Sequence, residues 1–166
     1  RLPAAASFLG AIVAVWWLGR RVLTPIAGGL AAILLATHPV VEHVAVAGRP
    51  YSFGLLLGVL AMQCCADLRR ERPTWLRLAA WILVNLALIQ THYMFAALWA
   101  AEFVWLLWPD GTPHLSAKQF AGSWAILLLL SLSVTPGLLR VWDHRHLLNW
   151  PTRTPVLAAL ESLALP

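Results

Sequence analysis

Five stretches of this chain carry almost no charge: residues 4–18, 51–66, 76–90, 93–108 and 120–139. A soluble helix of that length shows a polar face at helical period. These runs mostly lack one, so lipid is the better solvent for them. The whole chain is 60% hydrophobic and only 11% charged over 166 residues, against about 45–50% and about 25% in ordinary soluble domains. Its mean hydropathy is +0.73. A sixteen-residue helix reaches roughly 24 Å, close to the lower limit for spanning, so some spans must borrow flanking residues.

The expected fold is all-α, a polytopic transmembrane helix bundle of about six spans plus a partial seventh. Residues 26–37 form the weakest span, too short without the preceding turn or the segment 40–47. The chain opens on Arg1 rather than Met and stops at Pro166 inside an apolar run. It therefore reads as one transmembrane domain over 1–166, a piece of a longer protein. The first run lacks a basic leader, and Arg20-Arg21 follows it, so it reads as a span rather than a signal peptide.

Charge placement sets an expected orientation. Arg20, Arg21, Arg69, Arg70, Arg72, Arg77 and Lys118 all fall on one side if the spans alternate. The positive-inside rule makes that side cytoplasmic. Of six histidines, His38, His43, His92, His144 and His146 then fall on the outer face, and His114 does not. Trp16, Trp17, Trp75, Trp105, Trp108 and Trp142 lie at span ends, where interfacial aromatics belong. The net charge of +5 forms no basic stripe, so nucleic acid is not an expected partner. Membrane lipids are.

Turn residues punctuate the runs. Pro25 and Gly28-Gly29 mark the first cytoplasmic turn. Pro39 biases His38 away from helix. Residues 40–47 read as a short surface helix, and Pro50 suits the first turn of the next span. Thr91-His92 marks an outer hairpin, because one helix over 76–108 would need about 50 Å. Pro109-Asp110-Gly111-Thr112-Pro113 is a loop, and Thr154-Pro155 opens a last helix. Adjacent Cys64 and Cys65 point about 100° apart on a helix and read as small apolar residues rather than a disulfide.

The polar island His38–Tyr51, HPVVEHVAVAGRPY, is the main functional signal. His38, Glu42 and His43 have the spacing H-x-x-x-E-H, which does not match zincin helices. Three readings stay open: a hydrated interfacial helix, a polar wall for an anionic or sugar ligand, and a metal site. Arg49 precedes a proline-started helix. A guanidinium fork and a helix N-terminus both favour phosphate; the alternative is an arginine that snorkels to the interface. Thr91-His92-Tyr93 sets an imidazole and a phenol at the same outer level, for a site or for anchoring. Asp143-His144-Arg145-His146 reads as a solvated outer loop. Glu102 lies within an apolar run, toward the cytoplasmic end. It should face the bundle, hold a proton or pair with an arginine, and a structural hydrogen bond is favoured over catalysis.

In this order the residues carry a resemblance. Arg1-Leu2-Pro3, Gly19-Arg20-Arg21, His38-Pro39, Arg49-Pro50-Tyr51, Thr91-His92-Tyr93, Thr135-Pro136 and Asn149-Trp150-Pro151 follow one another as in a known group. The chain resembles polytopic glycosyltransferases of the GT-C type. These are related to dolichyl-phosphate-mannose protein mannosyltransferases and bacterial RgtA/B/C/D-like sugar transferases. The resemblance implies transfer of a sugar from a polyprenyl-phosphate donor to a lipid, glycan or protein acceptor on the outer face, in a bacterial inner membrane. It implies a catalytic carboxylate before Arg1, so no catalytic residue is expected within this chain. Arg49 is then the candidate for the lipid phosphate, with Tyr51, His38, Glu42 and His92 lining the site. The resemblance assigns no metal-ligating residue here and leaves the cofactor unknown. The rival readings are a non-enzymatic polytopic protein, such as a transporter or lipid-binding scaffold, and a membrane metalloenzyme.

Overall fold

The computed structural model of the protein describes residues 2–39, 51–92, 95–108 and 115–143. Among them are helices α1 (Leu2–Val22), α2 (Pro25–Thr37), α3 (Tyr51–Arg70), α4 (Trp75–Thr91), α5 (Ala96–Leu107) and α6 (Ala117–Ser131). A 3-10 turn (Leu132–Val134) and α7 (Thr135–Asp143) follow. No strand occurs among the described residues, as the all-α expectation requires. The chain divides into two compact units, Arg1–Val134 and Thr135–Pro166, and α7 is the described part of the second.

Helix starts follow local chemistry. Thr24 caps α2 by accepting from the Ala27 amide at 3.1 Å, with Pro25 in the first turn. Thr74 does the same for α4 through Arg77 at 3.3 Å. Ser116 and Gln119 form a reciprocal capping box on α6, the S-x-x-Q signature of a helix start. Gly28 and Gly29 stand inside α2 rather than in the turn, which corrects the sequence expectation. The turn is made by Leu23 and Thr24, because Thr24 and Pro25 together fix the helix start.

The expected span over 120–139 is present as the helical stretch Ala117–Gly137, with its winding changed to a 3-10 turn over Leu132–Val134. Helix α6 stops at Ser131, and α7 restarts at Thr135. Pro136 has no amide to donate, and its ring displaces the preceding turn. Ser131 and Ser133 donate back to the carbonyls of Leu128 and Leu130 at 2.7 and 2.8 Å, which further loosens the helix here.

The first unit encloses a few polar groups within an apolar core and also turns large apolar side chains outward. Ser52, Asn85, Glu102 and Ser123 are buried, while Leu9, Val13, Ile33, Leu34, Leu83 and Leu129 are exposed. An outer surface of bulky apolar groups, with the few polar side chains turned inward, suits a bilayer. Three helical stretches, Leu2–Val22, Tyr51–Arg70 and Ala117–Gly137, are long and apolar enough to cross a membrane. Pro25–Thr37, Trp75–Thr91 and Ala96–Leu107 are apolar but shorter. The core joins Cys65 and Leu68 of α3, Trp81, Ile82 and Ile89 of α4, and Leu127 of α6.

Arginines define one end of this bundle. The Arg70 guanidinium donates to the carbonyls of Arg21 and Val22, the last residues of α1. Arg69 donates to the carbonyls of Trp105 and Trp108 at the end of α5. Helix C-termini carry partial negative charge and orphan carbonyls, so cations belong there. Arg21 also pairs with Asp67 at 2.5 Å and Glu71 at 2.6 Å, and Glu71 accepts from Arg77. The C-termini of α1, α3 and α5 therefore share one end. His38, Tyr51 and His92, at the opposite helix termini, belong to the other.

This polarity predicts accessibility. In a background with Cys64 and Cys65 replaced by Ala, His38→Cys and Arg72→Cys should react with a membrane-impermeant thiol reagent from opposite sides of sealed vesicles. Labelling from the same side would overturn the alternating arrangement.

Candidate functional site

Tyr51 is the first residue of α3, and His92 is the C-terminal cap of α4. The His92 amide donates to the Leu88 carbonyl at 3.3 Å, closing the last turn of α4. Its own carbonyl accepts from the Phe95 amide at 3.0 Å, just ahead of α5. The chain thus leaves the helix at His92, and the imidazole is presented at the end of the bundle.

Two sequence motifs meet there. The Tyr51 and His92 rings stand 5.3 Å apart between centroids, tilted by 44°. Phe95 also packs edge-on with His92, at 6.4 Å and 86°. Gly54, one turn into α3, makes room for the Phe95 ring, which a Cβ there would strike. A glycine at this position therefore lets the Phe95 ring seat against the start of α3. The phenol and the imidazole can each donate and accept a hydrogen bond. The positive end of the α3 dipole lies beside them.

His38 caps the C-terminus of α2 in an extended conformation and is exposed. Among the described residues, no hydrogen bond or ring contact joins it to the Tyr51–His92 pair. Arg49 and Glu42 lie outside the described residues, as do His43, Tyr93, His114, the segment 40–47, the loop 109–113 and everything from His144 onward. Of the five expected lining residues, the structure therefore brings Tyr51 and His92 together and sets His38 at the same end. Among the described residues, no group of three or more His, Cys, Asp or Glu could hold a metal ion.

A second polar cluster lies deeper. Glu102 on α5 is fully buried and faces the bundle. Its Oε2 accepts from Trp81 Nε1 at 2.9 Å and from Asn85 Nδ2 at 3.0 Å, both on α4. The expected structural hydrogen bond is thus present, and among the described residues no arginine pairs with Glu102. Asn85 and Glu102 face each other across the α4–α5 hairpin near mid-helix, not toward the arginine-rich end. The sequence reading passed over Trp81 and Asn85. The available signal was an asparagine within an apolar run, which needs a buried partner.

Cys64 and Cys65 are free thiols on α3, as expected of neighbours that diverge by about 100° on a helix. No family model, no curated protein and no solved structure matches this chain.

Proposed function

We propose that this chain is part of the membrane domain of an inverting GT-C-type glycosyltransferase. It would move a sugar from a polyprenyl-phosphate donor to a lipid, glycan or protein acceptor, with the Tyr51–His92 end facing outward from a bacterial inner membrane. One observation carries the reading. Tyr51, from the R-P-Y motif, and His92, from the T-H-Y motif, come from separate parts of the sequence and stand ring against ring at one end of an apolar bundle. The ordered resemblance gives that pair its meaning, and the arginine-rich opposite end fits a cytoplasmic face.

In this reading the acceptor oxygen attacks the anomeric carbon, the bond from that carbon to the phosphate oxygen breaks, and polyprenyl phosphate leaves. In the resemblance, a carboxylate before Arg1 would deprotonate or orient the acceptor, whose proton leaves to that group or to water. Arg49, two residues ahead of Tyr51 in sequence, would meet the charge that develops on the departing phosphate. Tyr51 and His92 would orient the headgroup by hydrogen bonds.

Vesicles bearing the full-length protein provide the test, supplied with labelled polyprenyl-phosphate hexoses and pentoses. The expected result is transfer by the parent protein and a drop of about 2–10-fold in His92→Ala, the scale of one neutral hydrogen bond. Transfer from none of these donors would overturn the reading and leave a transporter or lipid-binding scaffold.

A further inference from the structure

Inside the first unit, Glu102 and Asn85 are both fully buried among apolar helices. Asn85 Nδ2 donates to the Trp81 carbonyl at 3.1 Å and to Glu102 Oε2 at 3.0 Å. These two acceptors fix which way the amide points. Turned over, its oxygen would face the Trp81 carbonyl and a carboxyl oxygen at once, with no proton between them. Oε2 is then fully engaged, since it also accepts from Trp81 Nε1 at 2.9 Å.

Two oxygens are left over. Glu102 Oε1 and Asn85 Oδ1 are both buried, and neither has a hydrogen-bond partner. Both are acceptors when the carboxyl is ionised, so they cannot satisfy each other. A carboxylate here would also be a net charge in a membrane interior with no arginine or lysine paired to it among the described residues. One added proton resolves all three difficulties. It neutralises the charge, turns Oε1 into a donor and supplies Oδ1 with the hydrogen bond it lacks.

We propose that Glu102 and Asn85 form a proton-binding acid–amide pair within the bundle. Glu102 holds a proton on Oε1 and donates it to Asn85 Oδ1, while Asn85 Nδ2 donates back to Oε2. The pair clasps α4 to α5 by two reciprocal hydrogen bonds, with Trp81 as a third. It is independent of any sugar-transfer role, and it assigns a ligand, one proton, to a site deeper than the Tyr51–His92 pair.

The test is infrared spectroscopy at neutral pH on the full-length protein in membranes, with glutamate carrying ¹³C at the side-chain carboxyl. Glu71 accepts from Arg21 and Arg77, so it contributes as a carboxylate. The expected result is a protonated-acid carbonyl band that shifts with the label and disappears in Glu102→Gln. Glutamine copies the protonated acid, because its amide nitrogen donates where Oε1–H did. Glu102→Gln should therefore melt within about 3 °C of the parent, less than the shift of a typical destabilising substitution. Should Glu102→Gln fail to fold, a full-length variant in which every glutamate except Glu71 and Glu102 is replaced by Gln, Glu42 and Glu161 among them, must retain the band. Absence of the band in the parent, or its survival in Glu102→Gln, would overturn the proposal. So would a rise in melting temperature with sodium in the parent but not in Glu102→Gln, which would mean a carboxylate holding a cation.

Discussion

Arg49→Ala in the full-length protein should lower sugar transfer about 10–100-fold, the loss of a contact to a charged group worth about 1.5–3 kcal/mol. The phosphate stays anionic throughout the reaction, but its bridging oxygen gains charge as the sugar departs. A guanidinium held beside it gains most at that moment, so the loss should appear in kcat more than in KM. Arg49→Lys should restore only part of the rate. An ammonium supplies the charge, but not two parallel hydrogen bonds in a fixed plane. A rise in KM alone would recast Arg49 as an anchor for the lipid headgroup. Unchanged transfer in Arg49→Ala would remove it from the site.

The placement of helices was largely legible because hydrocarbon leaves few choices. Uncharged runs must satisfy their own backbone, and only a helix does so within one segment. Hence 51–66 and 76–90 reappear inside Tyr51–Arg70 and Trp75–Thr91. The helix extensions are polar. Asp67, Arg69 and Arg70 continue α3 because they find partners in Arg21 and in the helix ends of α1 and α5. A window that weighs only apolarity stops before them. The run over 120–139 reappears within the helical stretch Ala117–Gly137, but its apolar composition gives no sign of the 3-10 turn Leu132–Val134 ahead of Pro136. In the site, Tyr51 and His92 were recognisable as residue types at one level. Their contact depends on Phe95 seating against Gly54, a packing fact with no periodic signature. Glu102 advertised itself as a charge in an apolar run. Its partners Trp81 and Asn85 did not, because a tryptophan within an apolar run and a lone asparagine each have ordinary explanations.

The glycine pair in α2 should respond asymmetrically to one added methyl group. Gly28 lies where α2 crosses α1 at backbone contact. A Cβ on it would stand 2.5 Å from the Trp16 carbonyl oxygen and 2.6 Å from the Arg20 amide nitrogen. From the other side, a Cβ on Gly19 would stand 2.6 Å from the Gly28 Cα. These neighbours are backbone atoms and cannot rotate aside, so the helices themselves must separate. Gly28→Ala should cost about 1–3 kcal/mol as an overpacking change. For a protein of this size that is a fall of roughly 3–10 °C in melting temperature. Next along the helix, Gly29 has nothing within 4 Å of the same added atom. Gly29→Ala should therefore be neutral or stabilising, by up to about 1 kcal/mol, because alanine loses less backbone freedom in a helix than glycine. Thermal melts of the two variants in one detergent compare these opposite signs directly. Equal responses would mean that α1 and α2 do not meet at Gly28. A fall in Gly28→Ala alone would establish that close helix approach, rather than turn formation, is what glycine supplies there.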